Sequence, residues 1–154
     1  LTLDIDHFKR FNDDHGHAVG DRALQHLAEI MRRNLRETDL AARFGGEEFV
    51  VMMPATHRAK AHLCAERLRQ VVAKTPLLID ENTEVTMTVS IGIAESLPGW
   101  SLEELLIASD RALYSAKHQG RDRVCIAENP FEVEGCQGEY RVVPGKGKAD
   151  GVAI

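Results

Sequence analysis

The sequence predicts an α+β domain built around one sheet, and three observations favour that class. Apolar residues recur at the 3.6-residue spacing of a helix over 20–36 and again over 57–74. Apolar and small polar residues alternate with period two over 85–95, as in a strand. A Gly-Gly pair joins two short apolar runs, which is typical of a hairpin. A chain of 154 residues is long enough to bury one substantial core.

The elements follow in the order strand, helix, strand, strand, helix, strand, with a further helix and strand behind them. Residues 1–6 give the first strand, and the first helix follows at 20–36. Two strands at 39–44 and 48–53 flank the Gly-Gly turn, a second helix covers 57–74, and residues 85–95 give a strand buried on one face only.

The last helix carries a sequence signal for its start. Ser101 followed by Glu104 is a capping-box pattern, and Gly120 ends the helical period. A short strand is expected at 123–127. Beyond it the periodicity fails and glycines accumulate, so we expect residues 128–154 to be a loosely structured tail behind a domain at 1–127.

Composition narrows the class of partner. The net charge of −5 argues against a nucleic-acid polymer, whose binders carry a basic face. Three cysteines without metal-binding spacing read as reduced thiols, which predicts a cytoplasmic location. No apolar run approaches the roughly 20 residues that span a bilayer, so no membrane contact by this chain is expected. The first residue is Leu1, inside a strand, which suggests a piece of a longer protein.

Acidic residues mark two strand ends. Asp4 closes the first strand, and Glu47 and Glu48 sit on the Gly-Gly turn. If the two segments are neighbours in one sheet, these carboxylates meet at one end and offer Mg²⁺ or Mn²⁺ an all-oxygen site, with the Ile5 carbonyl as a neutral ligand. Taken alone, such a turn is most often a hairpin with solvated acids.

The ordered combination of motifs is far more specific than any one of them. Asp4-Ile5-Asp6-His7-Phe8-Lys9, Asn12-Asp13, Gly16-His17, Gly20-Asp21 and Gly45-Gly46-Glu47-Glu48-Phe49 follow one another along the chain. In this the sequence resembles the GGDEF family of diguanylate cyclases, over about residues 1–127. The resemblance implies a palm-like βαββαβ sheet with helices packed on one face, plus an extra α-β unit. It also implies synthesis of cyclic di-GMP from two GTP, with two Mg²⁺ or Mn²⁺ ions per site.

The resemblance and the chemistry together give a candidate site. We expect Glu47, Glu48 and Lys9 to be catalytic. Glu47 and Glu48 are also expected to bind metal, with Glu47 as candidate proton acceptor. Lys9 and the backbone amides of His7 and Phe8 are suited to phosphate, although a lone lysine is more often a solvated surface residue. The remaining candidates for substrate contact are Asn12, His17, Asp21, Lys117 and Arg121.

Asp21 carries information about the base. A carboxylate accepts from guanine N1–H and N2–H, whereas adenine N1 is an acceptor and would oppose it, so Asp21 favours guanine. Capping of the first helix is an equally good interpretation of Asp21 taken alone. His15 and His17 are two residues apart, but without further His or Cys spacing this pair is weak evidence for a metal.

Arg36-Glu37-Thr38-Asp39 lies five residues before the Gly-Gly turn and matches the family's inhibitory RxxD motif. The match implies a second site, remote from the active centre, where cyclic di-GMP binds to Arg36 and Asp39 with help from Arg67. Because the product joins two nucleotides and one site holds one GTP, the catalyst is expected to be a homodimer.

One departure from the family lies at the front, where the preceding helix with its DxLTGLxNR-type segment is missing from the sequence. Activity of this piece is therefore a separate question from its fold. Two alternatives stay open: a catalytically silent receptor for GTP or cyclic di-GMP, and a relative that makes another cyclic dinucleotide.

Overall fold

The computed structural model describes residues 1–127, and its centre is a five-stranded sheet. The strands are β1 (Thr2–Ile5), β2 (Leu40–Gly45), β3 (Glu48–Met52), β6 (Val89–Ile93) and β7 (Val124–Ile126), in the spatial order β2-β3-β1-β6-β7. A separate two-stranded sheet contains β4 (Leu77–Leu78) and β5 (Glu84–Val85). The helices are α1 (Phe8–His15), α2 (His17–Asn34), α3 (Arg58–Lys74) and α4 (Leu102–His118).

The sheet is mixed. β1 is its middle strand and pairs antiparallel with both β3 and β6, β2 and β3 form an antiparallel hairpin, and β6 pairs parallel with β7. The predicted α+β, palm-like class is therefore confirmed, and so are the hairpin around the glycines, the helix at 57–74 and the final short strand.

The main core fills the space between one sheet face and the helices α2 and α3. Leu3 and Ile5 of β1 point to this face and join one apolar cluster with the buried stripes of both helices. Leu24, Leu27 and Met31 supply the stripe of α2, as the helical spacing predicts. All three are at most 5 % exposed.

One feature that the sequence did not indicate is the position of α4, the helix of the predicted extra α-β unit, which covers the other face of the sheet. Asp4 alternates with Leu3 and Ile5 along β1, and it is bonded to Lys117 of α4. Gly92 of β6 lies directly beneath the helix: a Cβ at this position would stand 2.1 Å from the carbonyl oxygen of Ser109. The absence of a side chain at Gly92 is what lets α4 lie this close.

The covering helix explains a second difference. The prediction of a half-buried strand over 85–95 is wrong, because β6 is buried on both faces and begins only at Val89. The residues before it leave the main sheet, and β5 pairs with β4 instead. Arg22 of α2 fixes that small hairpin by donating to the carbonyl oxygens of Leu78 and Ile79.

The sequence pattern does not signal α1, and the helix that follows begins earlier than predicted. Two apolar residues, Phe8 and Phe11, give too little periodicity in a polar stretch to signal a helix. Their rings stack with centroids 6.3 Å apart, and Phe8 is buried in the core. Gly16, at φ 84°, separates α1 from α2, so α2 begins at His17 rather than at Gly20.

The capping box of α4 is confirmed in full. The Ser101 hydroxyl accepts from the Glu104 backbone N–H at 3.2 Å, and the Glu104 carboxylate accepts from the Ser101 N–H at 2.7 Å. Among residues 1–127 no helix is both long and apolar enough to cross a membrane. Within the described part of the chain, Cys64 and Cys125 are free thiols. The predicted tail at 128–154 lies outside the described residues.

Candidate active site

Strand register brings the predicted carboxylates to one end of the sheet. Asp4 of β1 stands directly opposite Glu48 of β3. Ile5, the proposed carbonyl ligand, is the last residue of β1, and Glu47 lies in the turn immediately before β3. The expected neighbourhood of the two segments is therefore confirmed.

The turn that carries Glu47 is held by an arginine that sequence reasoning missed. Gly46 adopts φ 43°, a left-handed conformation that glycine reaches without strain. The Arg43 guanidinium donates to the Gly46 carbonyl oxygen through Nε at 2.8 Å and Nη2 at 2.6 Å. The signal was the Arg two residues before the Gly-Gly pair, within reach of the backbone it closes.

Asp4 is the electrostatic centre of the site. Its side chain is 7 % exposed, and Oδ2 lies 2.7 Å from Nζ of Lys117. Burial raises the pKa of Asp4, the Lys117 ammonium opposes that rise, and the negative charges of Glu47 and Glu48 add to it. Lys117, predicted to meet substrate phosphate, therefore neutralises a site carboxylate here.

The donor set suits a divalent metal, because a buried carboxylate whose ionisation is opposed by two neighbouring carboxylates gains from a cation. Within residues 1–127, however, no group of three or more His, Cys, Asp or Glu side chains is arranged to hold a metal ion. Asp4, Glu47 and Glu48 therefore share one strand end without closing around one point. Binding would require their side chains to turn inward.

The start of α1 lies next to β1. His7 precedes the helix in a left-handed conformation at φ 57° and is exposed. Phe8 is buried, so its ring is not available to a ligand. Lys9 is exposed in the first turn. Uncapped amides at a helix start together with a nearby ammonium are suited to an anion.

The packing of α1 against α2 brings Asn12 next to Gly20, the residue before Asp21. The side-chain oxygen of Asn12 is buried against Gly20, where a Cβ would stand only 1.8 Å from it. Asp21 is exposed one residue later, and His17 is exposed at the start of α2. Since Gly16 occupies the N-cap position of α2, Asp21 does not cap that helix, and the capping interpretation is wrong.

Arg121 follows α4 and is half-buried in a left-handed conformation at φ 63°. The next residue, Asp122, donates its backbone N–H to Oδ2 of Asp6 at 3.0 Å. The sequence-based prediction assigns no role to Asp6. It is buried and serves as a structural acceptor between three segments of the chain.

The residues of the predicted inhibitory site lie at the end of α2. Arg36 and Asp39 form a tight turn with two hydrogen bonds. The Arg36 backbone N–H donates to the Asp39 side-chain Oδ2, and the Asp39 backbone N–H donates to the Arg36 carbonyl oxygen, each at 3.0 Å. Among the residues that the structure describes, Oδ1 of Asp39 is buried without a partner. Arg67 donates to the Asn34 carbonyl oxygen at 2.7 Å, beside this turn.

A cavity of about 880 Å³ lies between α2 and the hairpin strands. Asp21, Arg36, Asp39 and Arg43 all contribute to its lining, whereas Asp4, Glu47 and Glu48 do not. The candidate guanine-binding residue and the candidate inhibitory residues therefore face one cavity. The remoteness of the inhibitory motif from the active centre stays a prediction.

Comparisons with known proteins agree with this geometry. Residues 1–123 match the family described as diguanylate cyclase, GGDEF domain. Diguanylate cyclase DgcP of Pseudomonas aeruginosa is 45 % identical over 126 residues, which cover 82 % of this chain and 19 % of that protein. The chain spans about a fifth to a third of the length of the curated relatives it matches.

Solved structures are equally similar. The GGDEF domain of DgcB from Caulobacter crescentus, in complex with c-di-GMP, has a TM-score of 0.79 at 38 % identity, covering 83 % of this chain and 76 % of that one. The active GGEEF domain of a diguanylate cyclase from Vibrio cholerae has a TM-score of 0.77 at 32 % identity, covering 83 % and 81 %. With its own Gly-Gly-Glu-Glu-Phe turn at the end of a matching sheet, this chain belongs to the diguanylate cyclase GGDEF-domain family.

Proposed function

We propose that residues 1–127 form a cytoplasmic catalytic domain that condenses two GTP into cyclic di-GMP and releases two pyrophosphates. The register that sets buried Asp4 opposite Glu48, beside Glu47, carries the proposal. A domain that only binds other proteins has no use for three carboxylates at one strand end, one of them buried against its own ionisation.

The reaction joins the 3′-hydroxyl of one GTP to the α-phosphorus of another. Divalent Mg²⁺ or Mn²⁺, when bound, supplies charge neutralisation at the phosphates and at the departing pyrophosphate. Asp4, Glu47, Glu48 and the Ile5 carbonyl are the residues that would hold two such ions. Glu47, half-buried in the turn, takes the proton from the attacking hydroxyl.

Other residues bind and orient the nucleotide. The Lys9 ammonium and the amides of His7 and Phe8 meet the triphosphate at the start of α1. Lys117 and Arg121 approach it from the end of α4, which the Lys117–Asp4 ion pair holds beside β1. In the cavity by α2, Asp21 accepts from the guanine donors, and Asn12 and His17 lie at the same helix pair.

Each domain offers one such set of residues, while the product contains two phosphodiester bonds. Two copies must therefore face each other so that each bound nucleotide attacks the other. We propose that the catalyst is a homodimer.

We also propose that the product, cyclic di-GMP, binds to Arg36, Asp39 and Arg67 as an inhibitor. The unpartnered Oδ1 of Asp39 supports this second role, because a buried carboxylate oxygen gains from a donor such as guanine N1–H.

The direct test is to incubate the purified chain with GTP and Mg²⁺ and to identify the products by mass. We expect cyclic di-GMP together with pyrophosphate. Bound but unreacted GTP would indicate a silent receptor instead, and a different cyclic product would contradict the guanine assignment of Asp21. The control is Glu84→Gln, which removes an exposed carboxylate of the separate β4–β5 hairpin and should leave the product unchanged.

A further inference from the structure

Three successive residues after α4 adopt left-handed backbone conformations. Gly120, Arg121 and Asp122 have φ values of 116°, 63° and 44°. Glycine reaches this region freely, but a residue with a Cβ pays roughly 1 kcal/mol or more to occupy it. Two adjacent non-glycine residues therefore persist there only because neighbouring groups hold them.

The first holding group is the buried Asp6 carboxylate. Its Oδ1 accepts from the Ser90 hydroxyl at 2.6 Å, and its Oδ2 accepts from the Thr88 hydroxyl at 2.7 Å and from the Asp122 backbone N–H at 3.0 Å. The Asp6 backbone N–H donates to the Thr88 carbonyl oxygen at 2.9 Å. One carboxylate thus ties the end of β1 to the start of β6 and to the strained turn.

The second holding group is Arg69 of α3, which reaches the turn from outside. Its Nη1 lies 2.6 Å from Oδ1 of Asp122, and its Nε lies 3.0 Å from Oε2 of Glu66. The Arg69 side chain is 18 % exposed and the Asp122 side chain is 43 % exposed, so the ion pair is shielded from solvent mainly on its Arg69 side. Asp122 is therefore fixed through its backbone by Asp6 and through its side chain by Arg69.

Arg121 lies between α4 and Asp122, the residue that Asp6 and Arg69 hold. Its backbone N–H donates to the Ala116 carbonyl oxygen at 3.0 Å, and its own carbonyl oxygen accepts from Nε of Arg123 at 3.1 Å. Within residues 1–127 its guanidinium has no hydrogen-bond or ion-pair partner, whereas Lys117, four residues earlier, is paired with Asp4. The backbone is fixed and the charge is left available.

We propose that Asp6 and Arg69 are positioning residues, which lock the turn at 120–122 so that the Arg121 guanidinium is presented to the nucleotide triphosphate. The inference rests on the proposed function, because it takes the triphosphate as the ligand of Arg121. Because the backbone is already fixed, little conformational entropy is lost when the ligand binds. The affinity is therefore higher without any additional contact. Neither Asp6 nor Arg69 needs to touch the substrate.

Arg69 is the better residue to test, because Asp6 is buried in a network on which folding depends. Arg69→Met keeps the aliphatic stem and removes the ion pair with Asp122. We expect it to weaken binding of 3′-deoxy-GTP in the presence of Mg²⁺ by roughly 3- to 30-fold, measured by calorimetry. This analogue lacks the attacking hydroxyl, so binding is read without turnover.

A double-mutant cycle separates positioning from general structural support. If Arg69 acts through Arg121, then Arg69→Met should cause no further loss of affinity in an Arg121→Ala background. Arg69→Lys, which keeps the charge, should restore part of the affinity. Arg33→Met removes an exposed ion pair with Glu29 on α2 and is the matched control, with unchanged affinity expected.

A second measurement does not depend on the nucleotide. Amide hydrogen exchange at Asp122 should be faster in Arg69→Met than in wild type and unchanged in Arg33→Met. Equal affinity of wild type and Arg69→Met, or full additivity with Arg121→Ala, would overturn the inference while leaving the proposed function intact. Failure of the wild type to bind 3′-deoxy-GTP at all would overturn both.

Discussion

The Asp4 carboxylate shows how a site residue can work against the stability of the metal-free fold. It lies in the middle strand, buried, and its pKa is raised by that burial even though Lys117 is bonded to it. Removing a charge from water costs free energy that one ion pair does not fully return. This position fits the proposed role of Asp4 in metal binding better than a role in stability.

We predict that Asp4→Asn separates these two effects. The amide resembles the neutral carboxyl, so the metal-free variant should be at least as stable as wild type in urea unfolding, while turnover falls by several orders of magnitude. Added Mg²⁺ should raise the melting temperature of wild type but not of Asp4→Asn. Near-normal turnover in the variant would contradict the assignment, and Glu84→Gln serves as the unaffected control.

The pH dependence of stability should carry the same signature. Because the pKa of Asp4 is raised in the folded chain, the folded state binds more protons than the unfolded state between the two pKa values. The free energy of unfolding contributed by Asp4 therefore falls as pH rises through that window, which begins at the ordinary value of about 4. Urea unfolding without metal at several pH values should show this fall in wild type relative to Asp4→Asn. Parallel profiles would contradict it.

Asp4 and Asp6 look alike in the sequence, two acids at the end of one strand. In the fold Asp4 faces Glu48 and Lys117, whereas Asp6 is satisfied by three donors within the protein. Strand alternation puts them on the same side, so period alone does not distinguish them. The hydroxyls of Thr88 and Ser90, at or just before the start of β6, and the Asp122 backbone N–H indicate that Asp6 is structural.

At the scale of elements, α4 depends on a glycine. A Cβ on Gly92 would stand 2.1 Å from the Ser109 carbonyl oxygen and 2.3 Å from the Leu113 nitrogen, and both are backbone atoms that do not rotate away. The helix that carries Lys117 to the site can therefore approach β6 only where the strand has no side chain. The position of Lys117 follows from this contact.

We predict that Gly92→Ala destabilises the protein by about 2 kcal/mol or more, the range for forced overpacking, because α4 must move away from the sheet. Urea unfolding measures the loss. Gly45→Ala is the matched control: it also lies in a strand, but a Cβ there meets nothing within 4 Å, so its stability should change little. Equal stability of Gly92→Ala and wild type would contradict the placement of α4.

At the scale of the whole molecule, each domain has one proposed nucleotide site, whereas the proposed product joins two nucleotides. We predict that activity per subunit rises with protein concentration wherever monomer and dimer exchange. Well below the dimer dissociation constant, tenfold dilution should lower specific activity about tenfold, by mass action. Sedimentation at the same concentrations gives the oligomeric state. Constant specific activity across a monomeric range would contradict the dimer.

The proposed inhibition by the product, cyclic di-GMP, would also act on the dimer. If product binds at the turn of Arg36 and Asp39, Arg36→Ala should weaken cyclic di-GMP binding by about 1–3 kcal/mol, the loss of one charged hydrogen bond, and relieve inhibition without stopping synthesis. Calorimetric titration of product measures it. Arg33→Ala, three residues earlier and paired with Glu29, is the control. Equal affinity in wild type and Arg36→Ala would leave the motif only a helix terminus.

Local sequence determined much of this protein, because some interactions act between residues close in the chain. Helical spacing gave the buried stripe of α2, the Ser101–Glu104 pair gave the start of α4, and the Gly-Gly turn gave the hairpin that carries Glu47. The ordered motifs are specific enough to indicate the family from the sequence alone. Each of these signals is read within a few residues.

Tertiary structure decided what depends on contacts between distant segments. The second face covered by α4, the division of the 85–95 stretch and the pairing of Lys117 with Asp4 all arise from residues far apart in sequence. The same holds for the turn at 120–122, fixed by Asp6 and Arg69 from more than 50 positions away. Burial and partner choice are set by the packed whole, since no local pattern specifies which distant donor reaches a carboxylate.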